Sequence, residues 1–305
     1  MSDRTELSDP VELSDPVELS VGGRPVARYV TRSYLAAGLA PRPYLHPVRT
    51  LGGTEVTELS PEDHPHHLGV CVAIADVSGR NFWGGRTYVR DRGPVWRDDH
   101  GLQRHLGWTR RAAGEFRESL AWIDRENAVV LREQREATAV PVGDHWALDL
   151  TFRLTNVLGT PLQLGSSATK GRAGAGYGGF FWRAPGTSTD IRVFSAEAEG
   201  EEKVHGAVTG WVAMSGTGAR AIGAEGSPAE KTWTLAFAGG DETTRRDPWF
   251  VRASEYPGVG SALAWEHVLE VPPGGVVERR VVTIVADGVL SPSDIEAGLE
   301  DLWAR

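Results

Sequence analysis

The chain has 305 residues, 40% hydrophobic and 24% charged, a globular composition with enough length to bury a large core. No apolar run approaches the roughly 18–20 residues of a membrane helix. The acidic start MSDRTELSDP lacks a secretory apolar stretch, and the single cysteine, Cys71, excludes an internal disulfide. A cytoplasmic protein without membrane contact is therefore expected, and a net charge of −9 with no basic tract argues against nucleic acid as a partner.

Six acids (Asp3, Glu6, Asp9, Glu12, Asp15, Glu18) against one base, Arg4, fall in the repeat region ELSDPV-ELSDPV-ELS and its flank. A proline in each six-residue unit blocks a continuous helix, so residues 1–22 are expected as a disordered acidic tail and residues 23–305 as one domain. Leu68 to Val77 is nearly unbroken and rich in β-branched residues, a central strand buried on both faces. Leu131 to Glu136 carries charge on both faces of a strand, which calls for paired charges, a wet groove or a water-facing edge. Trp146 to Asn156 alternates strictly, with Trp146, Leu148, Leu150, Phe152 and Leu154 on one face. Thr232–Ala238, Ala262–Val271 and Val276–Ala286 repeat the strand pattern, the last two joined by a hairpin-like Pro272-Pro-Gly-Gly275. One helix closes the chain: Ser291 caps it, Pro292 opens it, Asp294 lies in its first turn, and Ile295, Leu299 and Leu302 form its stripe. The sum is an all-β fold, a large antiparallel β-sandwich with a short C-terminal helix.

Gly171 to Gly179 contains a formal G-x-G-x-x-G at Gly174, Gly176 and Gly179. A dinucleotide site needs a helix next, and here Phe180-Phe-Trp-Arg-Ala-Pro185 reads as a strand broken by proline. The run is a loop over a site or a wide turn, flanked by Lys170 and Arg172 in a chain with only three lysines. Four of the nine histidines lie between residues 46 and 67. In extended chain His64 and His66 point one way and His67 the other. They suit acid/base work, substrate binding, structure, or a divalent metal with a third ligand from His105, Glu133 or His267; no cofactor is otherwise expected. No G-x-S-x-G elbow is present, and Cys71 sits between valines in an apolar strand, so no nucleophile is evident. Eleven tryptophans serve as core or as platforms for ring-shaped ligands. Ala264-Trp-Glu-His267 sets Trp265 and His267 against Glu266, a pattern of a sugar groove and equally of a core with a polar rim.

Arg42-Pro-Tyr-Leu-His-Pro-Val48, Glu62-Asp-His-Pro-His-His-Leu-Gly69, Asn81-Phe-Trp-Gly-Gly85, Gly171 to Trp182 and Glu255-Tyr-Pro-Gly258 together resemble the bacterial family of unknown function labelled methane oxygenase PmoA. The membrane chemistry of that label does not carry over to a chain with no span. The family's setting beside sugar oxidoreductases implies sugar catabolism. A second similarity, in Asp63 to Gly69 and Phe82 to Gly85, is to aldose 1-epimerases and other galactose mutarotase-like sandwiches. It implies that His66 or His67 contacts a sugar oxygen, with His105 as a second histidine and Glu255 or Glu266 as a late base. The expected ligand is a small carbohydrate or keto-glycoside undergoing epimerisation, hydrolysis or elimination, or held without turnover by a binding module. The expected catalytic residues are His66, His67, His105, Glu133 and Glu255. His64, Trp83, Lys170, Arg172, Tyr177, Trp182, Tyr256 and Trp265 are the expected substrate contacts.

Overall fold

The computed structural model describes residues 16–218 and 231–304. Its first strands are β1 (Val17–Val21), β2 (Arg24–Val30), β3 (Tyr44–Val48), β4 (Val70–Ile74), β5 (Asp76–Val77), β6 (Thr87–Val89) and β7 (Gly93–Val95). The long middle strands are β8 (Leu102–Ala112), β9 (Glu115–Ile123), β10 (Val129–Val142) and β11 (His145–Asn156), followed by β12 (Leu162–Gly165), β13 (Gly178–Arg183) and β14 (Thr189–Ser195). After the short helix α1 (Glu201–Val204) come β15 (Trp211–Thr217), β16 (Thr232–Gly239), β17 (Trp249–Arg252), β18 (Gly258–Ala262), β19 (Leu269–Val271) and β20 (Val276–Asp287). Helix α2 (Pro292–Trp303) follows.

Two antiparallel sheets form the sandwich, one ordered β1-β2-β3-β4-β13-β18-β17 and the other β14-β15-β16-β20-β11-β10-β9-β8. Period-two alternation decides what each sheet turns inward. Val70, Val72 and Ile74 of β4 and Phe180 and Trp182 of β13 meet Trp146, Leu148, Leu150, Phe152 and Leu154 of β11 in one core. The expected face of β11 is thus the buried one, and β4 is central and buried throughout.

The outer face of the eight-stranded sheet is surfaced by Ala147, Ala213, Ala236, Val282 and Ile284, small enough for α2 to lay Ile295 and Leu299 against it. The Ser291 side chain accepts from the Asp294 backbone N–H at 3.2 Å, and the Asp294 carboxylate accepts from that of Ser291 at 2.9 Å. This reciprocal box starts the helix where the sequence places it. Among the described residues no helix is long and apolar enough to cross a membrane.

Three expectations need correction. The tail was expected to reach residue 22, but Val17–Val21 forms β1 with Val17 and Leu19 buried, because alternating valine and leucine can pair with β2. Residues 1–15 lie outside the described residues. Ala262–Val271 is not one strand: residues 263–268 leave the sheet between β18 and β19, which carries Trp265 away from strand geometry. Pro272 to Gly275 is no hairpin, since β19 pairs with β12 while β20 pairs with β11 and β16.

Candidate functional site

The outer face of the seven-stranded sheet is covered by loops. Its floor is set by β18, where Gly258 and Gly260 face outward and Val259 faces the core. A side chain at Gly258 would come within 3.1 Å of the Tyr256 ring and 3.2 Å of Phe181. The glycines therefore make room for aromatic groups lying flat over the sheet. Cys71, Ala73, Phe181 and Phe250 complete the floor, with Tyr44, Trp83, Tyr177, Tyr256 and Trp265 packed on it.

The loop before β4 lays three histidines at one end of this face. His64 stacks on His67 with ring centres 4.6 Å apart, and His66 meets His67 edge-on at 4.7 Å. Tyr256 touches both His64 (4.7 Å) and His67 (5.0 Å). His64 Nδ1 is 2.7 Å from Asp63 Oδ2, so the carboxylate fixes the protonated nitrogen and leaves Nε2 free. Burial opposes the charge on Asp63, but its bond to His64 and the nearby Arg183 prevail and hold its carboxyl below the usual range.

His66 is pushed down to about 3, chiefly by burial and then by the Arg42 guanidinium. Burial and the neighbouring histidines likewise push His67 well below its ordinary value. Both imidazoles are neutral at physiological pH: they can accept a hydrogen bond, are weak bases until a ligand's charge raises them, and are not resting acids.

Two buried arginines frame the cluster. Arg42 spans the loops: Nη2 donates to the His66 carbonyl at 2.6 Å, Nη1 to those of Trp83 (2.9 Å) and Ala40 (3.0 Å), and Nε lies 3.4 Å from Cys71 Sγ. It faces no carboxylate in any of these contacts. Arg183 Nε and Nη2 pair with Glu58 at 2.9 and 2.8 Å, and its guanidinium lies 4.8 Å from the Tyr256 ring centre. Its Nη1 and His67 Nδ1 are buried without a hydrogen-bond partner.

Beside the histidines, Trp83 and Tyr177 form an aromatic wall with ring centres 4.7 Å apart. Gly84 and Gly85 let this wall abut His66, whose ring would be 3.0 Å from a side chain on Gly85. Ser167 shares a 2.6 Å hydrogen bond with the Tyr177 hydroxyl, and Lys170 pairs with Asp76 at 3.0 Å. These groups, with Asn81, Arg86 and Tyr88, line a cavity of about 10 Å³, room for roughly one water. Farther along, His205 accepts from the Val251 N–H, sits 2.8 Å from the Gly174 carbonyl and meets Trp265 edge-on at 4.9 Å. A larger hollow of about 460 Å³ lies between the Phe194–Glu199 segment and the start of α2; of its charged groups, Arg192 and Glu199 pair with each other at 2.9 Å and Glu197 is exposed.

The family model matches residues 16–300, from the start of β1 into α2, so it takes in both sheets and the histidine face. The chain belongs to DUF6807, a family of unknown function. No curated protein matches it. The structure of this DUF6807 member gathers His64, His66, His67, Trp83, Tyr177 and Tyr256, with Lys170 and Trp265 on the same face. Arg172 and Glu255 are exposed on loops.

Three expected site residues are elsewhere and are corrected here. Trp182 faces the core, its Nε1 donating to the Val56 carbonyl at 2.8 Å. His105 is sealed between the sheets, 2.5 Å from Glu118. Glu133 is sealed beside it, bonded to Arg135 and Trp122. Of the charges on β10, Glu133 and Arg135 are thus paired inside the sandwich, while Arg132 is exposed and Glu136 pairs with Arg117 on the outer face; burial raises the Glu133 carboxyl, partly offset by Arg135. Among the described residues no three His, Cys, Asp or Glu side chains converge as metal ligands. Sequence reading missed Arg42, Asp63, Asp76, Arg183 and His205. Arg42 and Asp63 sat inside quoted motifs, and His205 had no signal.

Proposed function

We propose that this protein is a carbohydrate-active enzyme that uses His66 and His67 as neutral bases on a sugar or keto-glycoside. The observation that carries the reading is the side-by-side placement of two imidazoles, ring centres 4.7 Å apart, beside the Trp83–Tyr177 wall. Sugar rings stack their apolar faces on such walls, and a base beside the wall lies at the edge of the stacked ring. In a keto-sugar the carbonyl acidifies the adjacent C–H. His66 takes that proton, the C–H electron pair moves toward the carbonyl oxygen, and a cationic N–H such as that of Lys170 steadies the enolate. Reprotonation on the other face gives epimerisation; loss of a neighbouring substituent gives elimination. The Asp63-oriented His64 supplies the second imidazole for returning a proton.

Proton NMR in deuterated water tests this reading with a panel of aldoses, glycosides and 3-keto-glycosides. Wild type is expected to exchange the C–H beside the keto group or to consume an anomeric signal. His66→Asn is expected to slow this by about 10²–10⁴-fold. Exchange that survives in the variant removes His66 from the role of base. No change with any member of the panel removes the catalytic reading and leaves a binding module.

A further inference from the structure

The aromatic wall is rimmed by cations that have no acid to answer them. In a chain of net charge −9, Arg86 lines the cavity, Arg90 projects from the turn between β6 and β7, and Arg172 follows Gly171 on the glycine-rich loop. All three are exposed, and among the described residues none makes an ion pair, unlike Lys170 with its Asp76. The turn and the loop are pressed together: a side chain on Gly171 would come within 3.2 Å of Arg90 Nη1 and 3.4 Å of its Cζ. The bare backbone of Gly171 thus brings the Arg90 guanidinium to the residue next to Arg172. Asp91 and Arg92 on the same turn offset one another in charge. Exposed cations on abutting segments raise the positive potential that an approaching anion meets.

We infer that the ligand of this site is an anionic carbohydrate, whose carboxylate or phosphate is held by Arg86, Arg90 and Arg172 while its ring lies on Trp83 and Tyr177. This rests on the carbohydrate reading above and names its substrate class. Arginine suits the role because its planar fork matches either oxyanion. An anion at the rim also favours protonation of the nearby histidines, so the ligand strengthens the bases it meets. The cavity of about 10 Å³ holds only about one water, so the loop and the turn must part to admit a ring, and an anion bridging them draws them together again.

Calorimetric titration tests the inference with hexoses of the gluco, galacto and manno series, each as the neutral sugar, the uronate and the 6-phosphate. At least one acidic form is expected to bind about tenfold or more tightly than its neutral parent, and to weaken as salt is raised. The uronate and phosphate arms show which oxyanion fits. The double variant Arg90→Gln, Arg172→Gln is expected to bring the acidic form down to the affinity of the neutral one. Arg132→Gln, exposed on the opposite sheet, is expected to leave it unchanged, and thermal melts confirm that both variants fold. Neutral sugars that bind as well as acidic ones, or selectivity that survives the double variant, overturn the inference and leave the carbohydrate reading standing. Acetate or inorganic phosphate binding as tightly as the acidic sugars overturns the carbohydrate part. Binding of no sugar here overturns the inference, and the carbohydrate reading falls with it only if the keto-glycosides of the NMR panel are also left unchanged.

Discussion

Arg42 decides whether the histidines stand where they do. Its guanidinium is buried and joins the backbone of His66 to that of Trp83, two loops that also meet where His66 packs on Gly84 and Gly85 and where the His67 ring meets Trp83 edge-on at 5.9 Å. Arg42→Met keeps much of the volume but strands those carbonyls, and is expected to cost about 3 kcal/mol of stability. Arg42→Lys recovers only part, because an ammonium cannot span the same carbonyls as a fork. Urea denaturation reads the cost, and near-ultraviolet circular dichroism of Trp83 reads the geometry; wild-type values for Arg42→Met would remove the clamp. The histidines themselves were legible, since three in four residues stand out in any chain. The assignment of His105 and Glu133 to the groove was not, because alternation separates two faces without saying which is wet. Glu133 and Arg135 share a face with Leu131 and Ala137, and that mixture of charge with core residues is the mark of a pair sealed inside.

At the scale of elements, the strands with clean periodicity were read correctly and the connections were not. β11 and α2 carry their own pattern and caps, so their sequences specify them. The 263–268 segment alternates as a strand does, yet Trp265 is claimed by the glycine-rich loop. Glycines surround the indole for a packing reason: a side chain on Gly176 of the loop would come within 2.2 Å of Trp265 Cε3, and one on Gly206, just after α1, within 2.8 Å of its ring. Gly176→Ala must therefore displace the indole, at an expected cost of about 1–3 kcal/mol with a shift in tryptophan emission. Gly159→Ala, with open space around it, is expected to stay within about 0.5 kcal/mol of wild type. Thermal and urea melts of the two variants compare them directly; equal stability would mean that the loop is not seated on Trp265.

For the whole molecule, the cost of keeping these loops packed is a set of histidines that resist protonation. Burial, with Arg49 beside it, lowers His46 to about 4, burial with Arg42 lowers His66 to about 3, and burial leads in lowering His67 and His205. In the unfolded chain each takes up a proton near its ordinary value of 6.5. As pH falls through that value the unfolded state binds protons that the folded state refuses. The stability these groups contribute is therefore complete above about pH 6.5 and is lost toward pH 3–4. For His66 alone the loss by pH 5 is about 2 kcal/mol. Glu55, Glu133 and Asp247 work the other way, since burial raises their carboxyls, but their unfolded partners titrate below this window and offset only part. Urea midpoints measured from about pH 7 to about pH 5 are expected to fall, and His66→Asn is expected to flatten the fall by its own share. A flat or rising profile would mean that the folded histidines already carry protons. The proposed bases would then be acids at rest, and the chemistry of this face would have to run through Asp63 and His64 instead.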